Sequence, residues 1–205
     1  MLAFSASAAQ AVTWRMATAY PEANFHTRNI NQFVKEIEQG TDGKLQINVH
    51  ASGALIKHPE IKNAVRSRQI EMGEFLVSTL ANENSIFALD SVPFMAVSYE
   101  DSAKMYQVSK PYLEEVFAKQ RMKVLYSVAW PPQGLYTERP IEKIEDLKGM
   151  KVRAYSPQTE RFAQLAGAIP TQVEAADLAQ AFTTGRVNAM VTSSSTGVNS
   201  AAWDY

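Results

Sequence analysis

The chain has 205 residues, 46% of them hydrophobic, which is enough apolar material for a sizeable core in one or two domains. Twenty Lys and Arg against 21 Asp and Glu leave a formal net charge of -1, so the broad positive field of a nucleic-acid or anionic-membrane binder is excluded. The absence of cysteine excludes disulfides, thiolate nucleophiles and cysteine-held metals, while leaving the compartment open.

Residues 1–11 read as the remnant of a signal peptide. MLAFSASAAQAVTW is small and apolar, carries no charge before Arg15, and Ala9-Gln10-Ala11 fits the small-x-small pattern of a cleavage site. The basic start is missing and the apolar part is short, so a bland alanine-rich leader is the alternative. No later run approaches the roughly 18 apolar residues of a membrane span, and none is expected.

Val12, Trp14 and Met16 alternate with Thr13, Arg15 and Ala17, the period of a half-buried strand. After the loop AYPEANFH, Thr27 is the predicted N-cap of a helix. Ile30, Phe33, Val34 and Ile37 share its inner face, and Gly40 can end it in a left-handed conformation. Leu45, Ile47 and Val49 alternate again, HPEIKNAVRSRQ predicts a helix with Pro59 in its first turn, and IEMGEFLVS a third strand. This β-α-β-α-β order favours a mostly parallel sheet covered by helices.

Residues 82–98 break the rhythm and predict an irregular connection anchored by buried Phe87, Leu89, Val92 and Phe94. A long helix follows from about Tyr99 to Gln120, with Met105, Val108, Tyr112, Leu113, Val116 and Phe117 inward and a kink or break at Pro111. KVLYSVAW predicts a strand. The Pro- and Gly-rich, charged tract at 130–149 is the best boundary, giving an N-terminal α/β lobe over 12–127 and a second over 128–205.

In the second unit MKVRAY is a predicted strand, Ser156-Pro157 an N-cap and first helical proline, and Phe162, Leu165 and Ala166 line a helix ended by Gly167. IPTQVE, a helix around Leu178, Ala181 and Phe182 stopped by Gly185, and the strand VNAMVTS complete it. The finish at GVNSAAWDY, with Trp203 and Tyr205 exposed and no capping element, reads as a chain cut short.

No G-x-S-x-G, phosphate loop, G-x-G-x-x-G or H-E-x-x-H occurs, and His26, His50 and His58 lack metal-site spacing, so neither cofactor nor metal is expected. His50 and His58 read as structural or solvated; His26 sits in a post-strand loop, where ligand loops gather. The hydroxyls of Ser193, Ser194, Ser195 and Thr196 lack a sequence-visible base. They fit a polar loop at a strand's carboxyl end, able to orient a small molecule without reacting with it. Glu74, inside an apolar strand beside Gly73, is either an edge or salt-bridged carboxylate or an acceptor for a ligand N–H or O–H. Trp130 is either core or a stacking wall. In MKVRAY, Lys151, Arg153 and Tyr155 share one face, so Arg153 either faces solvent or grips a carboxylate through two parallel hydrogen bonds near the helix start at Pro157.

The segment ERPIEKIEDLKGMKVRAYSPQ and the run AGAIPTQVEAADLAQAFTTGRVNAM resemble the periplasmic solute-binding receptors of TRAP transporters, the DctP-like family. The resemblance extends over ATAYPEANFHTRNI, FVKEIEQGTDGKLQINVHASGAL and DSVPFM. It implies a two-lobed α/β periplasmic-binding-protein fold of type II-like architecture, lacking its C-terminal part here. It also implies a non-enzymatic, periplasmic receptor that closes on a small organic acid and delivers it to TRAP membrane permease subunits. By the same resemblance Arg153 pairs with the substrate carboxylate and Thr192 stands where the family carries a substrate-touching asparagine, with Ser193 and Ser194 nearby. Gln133 stands where some members have a second arginine, which favours a monocarboxylate. Glu74 as polar acceptor and Phe25, His26, Trp130 and Tyr155 complete the expected site. The protein is expected to be a monomer without a nucleic-acid partner. The rival functions are an enzyme acting on a small carboxylic acid and a ligand-sensing module of the same fold.

Overall fold

The computed structural model describes residues 11–205, so the leader expectation lies outside the described residues apart from Ala11. Two sheets organise the molecule. The first is parallel, order β2-β1-β3, built from β1 (Val12–Thr18), β2 (Leu45–His50) and β3 (Met72–Glu74). The alternation in β1 sends Met16 to one face, where it packs with Ile30 of α1 (Phe25–Gly40), Ile47 and Met72. Ala17 points to the other face, against Ile61 and Ala64 of α2 (His58–Arg66). Helices therefore cover both faces, as parallel strands joined by crossovers require.

Gly73 is where α2 comes closest: a methyl added there would meet Ile61 Cγ2 at 2.4 Å and Val65 Cγ2 at 3.0 Å. Ile61 is fully buried and cannot step aside, so such overpacking costs about 1–3 kcal/mol. The close approach fixes where the next residue, Glu74, points.

The second sheet has order β4-β7-β5-β6. Strands β5 (Lys151–Ala154), β6 (Ile169–Gln172) and β7 (Ala189–Ser193) run parallel, while β4 (Gln133–Thr137) pairs antiparallel with β7. Val152 and Ala189 meet Ala163 of α4 (Pro157–Leu165) on one face. Met190 meets Leu178, Ala181 and Phe182 of α5 (Leu178–Thr183) on the other. Ser156 caps α4 by accepting from Thr159 N at 3.2 Å, and Gly167 takes φ +69 just past the helix.

Several expectations change. α1 starts at an Asn24 cap that accepts from His26 N at 2.9 Å; Thr27 is buried one turn on, donating to Tyr20 O at 3.1 Å. Its end is made by Thr41, with left-handed backbone at Asp42 and Gly43, whereas Gly40 stays helical. α3 (Tyr99–Lys119) runs unbroken through Pro111, so the helix absorbs the missing donor. Val108 and Tyr112 are exposed, as are Val92 and Phe94, the latter 92%. Val108 and Tyr112 have helical apolar periodicity but no described element buries them, and Val92 and Phe94 do not anchor the irregular connection. KVLYSVAW forms no strand, because alternation cannot supply a partner edge and no described strand pairs with its backbone. β4 instead lies in the Pro-Gly tract read as a boundary. Tyr205 is not exposed: it stacks on Phe182 at 4.8 Å, while Trp203 is 71% exposed. No described helix is long and apolar enough to cross a membrane.

Candidate functional site

Parallel pairing of β1 and β3 sets Thr18 directly beside Glu74 on one face. Thr18 Oγ1 donates to Glu74 Oε2 and accepts from Tyr20 N at 3.3 Å, tying the strand ends to the loop that follows. The first turn of α1 brings His26 Nδ1 to 3.1 Å from Glu74 Oε1. A neutral imidazole that donates from Nδ1 presents a bare lone pair at Nε2. That Nε2 is buried and has no hydrogen-bond partner among the described residues. Glu74 is thus an internally compensated acid, both of whose oxygens retain lone pairs.

Above this acid lies a box of rings. Tyr20 stacks on His26 at 5.4 Å, and Trp130 meets Tyr20 edge-on at 5.1 Å, Phe25 at 5.1 Å and His26 at 4.3 Å. Trp130 belongs to the segment leading into the second sheet, so these contacts join the two units. Burial pushes the Tyr20 phenol far above its ordinary range, the Glu74 charge adds to the shift, and Trp130 and Arg153 oppose it. The phenol is a neutral hydroxyl that feels an acid on one side and a guanidinium on the other.

The second sheet contributes that guanidinium. Parallel register places Arg153 between Thr171 and Met190. The residue is 5% exposed, and its side chain makes one hydrogen bond among the described residues, Nε to Val173 O at 3.0 Å. Its carbon Cζ lies 4.7 Å over the Tyr155 ring. No described carboxylate stands within ion-pair distance of it. Burial pulls its pKa down, against the fields of Tyr155, Glu174, Tyr20 and Tyr205, yet a guanidinium remains a cation. A buried cation without an acid is unfavourable unless something outside the chain compensates it.

Around it, Tyr155 Oη donates to Gln133 Oε1 at 3.2 Å, and Gln133 Nε2 donates to Pro131 O at 2.9 Å. Across β4 and β7, Gln133 pairs with Ser193 and Gly134 with Thr192. Thr192 is buried at the strand end, and Ser193 Oγ caps the next helix, α6 (Ser194–Asn199), accepting from Thr196 N at 3.1 Å.

Of the residues singled out from sequence, Phe25, His26, Glu74 and Trp130 form one cluster, and Gln133, Arg153, Tyr155, Thr192 and Ser193 gather at the facing strand ends. Ser194 lies exposed at the start of α6. Sequence reasoning missed Thr18, Tyr20 and Glu174; His58, read as structural or solvated, sits in a structural network. The His58 side chain, 9% exposed, bridges the units: its Nε2 accepts from Leu76 N at 3.0 Å and its Nδ1 is 3.4 Å from Glu174 Oε2. The hydrogen bond from His58 is the leading cause that holds the Glu174 carboxyl below its ordinary value, against the opposing effect of burial, with the Gln172 side chain and the Arg153 charge assisting. Only the strand-end positions of Thr18 and Glu174 could have drawn notice. Among the described residues no group of three or more His, Cys, Asp or Glu is placed to hold a metal.

Two α/β units, one on a parallel and one on a mixed sheet, carry an acid and, among the described residues, a guanidinium without an acid partner at their strand ends, an arrangement that fits a periplasmic-binding-protein fold. The profile of the family described as bacterial extracellular solute-binding protein, family 7 (DctP) matches residues 16–200, and the chain belongs to that family. A Bordetella pertussis extracytoplasmic solute receptor, DctP6, binding pyroglutamic acid is 46% identical, with a TM-score of 0.92 over 95% of this chain and 64% of its own. A TRAP solute-binding protein from an unidentified marine microbe, specific for pyroglutamate and solved with it, is 38% identical, with a TM-score of 0.92 over 95% of this chain and 64% of its own. A solute-binding protein of Albidiferax ferrireducens is 25% identical over 96% of this chain and 60% of its own length. The chain thus spans less than two thirds of these relatives.

Proposed function

We propose that this chain is the ligand-gripping portion of an extracytoplasmic TRAP receptor for a small cyclic monocarboxylate of the pyroglutamate type. The observation that carries this reading is the buried Arg153 guanidinium, held by one carbonyl and lacking an internal acid. A ligand carboxylate supplies the missing charge through two parallel N–H···O bonds, which orient it as well as neutralise it. Relatives at 46% and 38% identity bind pyroglutamate, whose ring N–H suits the free lone pairs of Glu74. Its flat ring suits the walls of Trp130 and Phe25, while Thr192 and Ser193 orient the carboxylate from the end of β7.

In this reading the two sheets are the hearts of two lobes, 12–127 and 128–205, that close on the ligand. The closed receptor, a monomer, hands its cargo unchanged to the TRAP permease subunits outside the cytoplasm. No step forms or breaks a covalent bond, so no cofactor takes part, and Glu74 opposes a second carboxylate where Gln133 offers no second cation.

Thermal melts of the full chain with L-pyroglutamate, other monocarboxylates and dicarboxylates test this. A true ligand at a hundredfold excess over its Kd stabilises by about 2.7 kcal/mol and is recovered intact. Arg153→Ala should erase the shift; a shift retained in that variant moves the anchor elsewhere, and ligand turnover would favour an enzyme.

A further inference from the structure

Arg153 sits near an acid yet is not paired with it. Its Nε is pinned by Val173 O at 3.0 Å, and the residue after Val173 is Glu174. The carboxylate of Glu174 is therefore the acid that the chain itself delivers next to the guanidinium, and each feels the other's charge. It nevertheless points away, to His58 Nδ1 at 3.4 Å. The Gln172 side chain at the end of β6 also bears on this carboxylate, but the larger influence comes from His58 of α2 in the other unit.

The His58 geometry explains how it does so. Leu76 N donates to Nε2 at 3.0 Å, and a ring nitrogen that accepts a hydrogen bond carries no proton. The neutral ring must then hold its proton on Nδ1, the nitrogen that faces Glu174. The imidazole is largely shielded from solvent, with the Tyr20 ring 6.0 Å away, so its orientation is set by packing as well as by the Leu76 bond.

We propose that His58 is a positioning residue for the anion site: its Nδ1–H holds the Glu174 carboxylate off Arg153 and so keeps the guanidinium open to a ligand carboxylate. Without that donor, Glu174 turns to the nearest cation and competes with the ligand from within. An internal competitor that occupies Arg153 in nine molecules of ten weakens apparent binding by about tenfold, since apparent affinity scales with the competent fraction. The inference rests on Arg153 being the carboxylate anchor, as proposed above.

The test is a set of full-chain variants titrated with L-pyroglutamate. His58→Ala should weaken binding by about tenfold or more. His58→Asn, whose amide nitrogen can sit where Nδ1 sits, should bind like wild type. Glu174→Gln alone should bind within about twofold of wild type, and His58→Ala combined with Glu174→Gln should recover the affinity that His58→Ala loses, because the competitor is gone. A role in packing or in latching the units together predicts the opposite: Glu174→Gln would weaken binding by itself and would rescue nothing, which overturns the proposal. Arg153→Ala separates the two levels. Binding that survives in that variant removes the anchor reading; binding that vanishes there, with no rescue in the double variant, removes only the role of His58.

Discussion

The strand ends of the two sheets hold opposite charges in opposite states. Glu74, on the first sheet, is satisfied by Thr18 and His26 from its own unit. Arg153, on the second, has a backbone carbonyl on Nε and, among the described residues, no acid within ion-pair distance. A compensated acid costs the fold little and can still accept from a ligand; an uncompensated buried cation leaves the compensation to the ligand. Under the proposed function the contrast gives each sheet a role: the second supplies the anchor and the first supplies selectivity.

Replacing the anchor while keeping its charge is the most drastic way to break this contrast. Arg153→Lys leaves a point charge that cannot reach Val173 O and a carboxylate together in the same fork, and Lys deprotonates more readily when buried. Losing one of two charge-assisted bonds costs about 1.5–3 kcal/mol, so calorimetric titration should read a Kd raised by roughly 10- to 150-fold. Wild-type affinity in the lysine variant would mean that charge alone suffices. The next effect is on selectivity. Glu74→Gln keeps the size and one acceptor oxygen but removes the negative charge, so dicarboxylates should gain about tenfold relative to monocarboxylates, equivalent to about 1.4 kcal/mol. An unchanged ratio would show that Glu74 does not face the ligand.

The sequence carried the scaffold better than the site. Alternation in Val12–Thr18 and Lys151–Ala154, and the Ser156-Pro157 start of α4, are local signals, and local backbone preferences are enough to produce those elements. Gln133–Thr137 escaped because its strand exists only by pairing with β7, more than fifty residues on. KVLYSVAW misled for the converse reason, having the pattern without the partner. Periodicity placed Arg153 on a face of its strand, but whether that face met water depended on Tyr155 and the 173–174 backbone coming to lie beside it. Tyr20 had no pattern at all, and His58 and Glu174 offered only a helix start and a strand end, since each matters only through a residue of another element.

The bridge between the units is the subtlest place to sharpen the comparison, through its pH dependence. The Glu174 carboxyl titrates below its ordinary value near 4.5 when folded, chiefly through its hydrogen bond with His58. A depressed carboxyl pKa means that the folded state prefers the ionised form. The contribution is fully present above the unfolded value and is lost as pH falls through the folded one. Wild type should therefore melt higher than Glu174→Gln above pH 4.5, with the gap closing steadily below it as the carboxyl protonates and ceases to need the His58 donor. A gap that stays constant down to strongly acidic pH would assign the stabilisation to packing of the Glu174 side chain, and the bridge would then owe nothing to its charge.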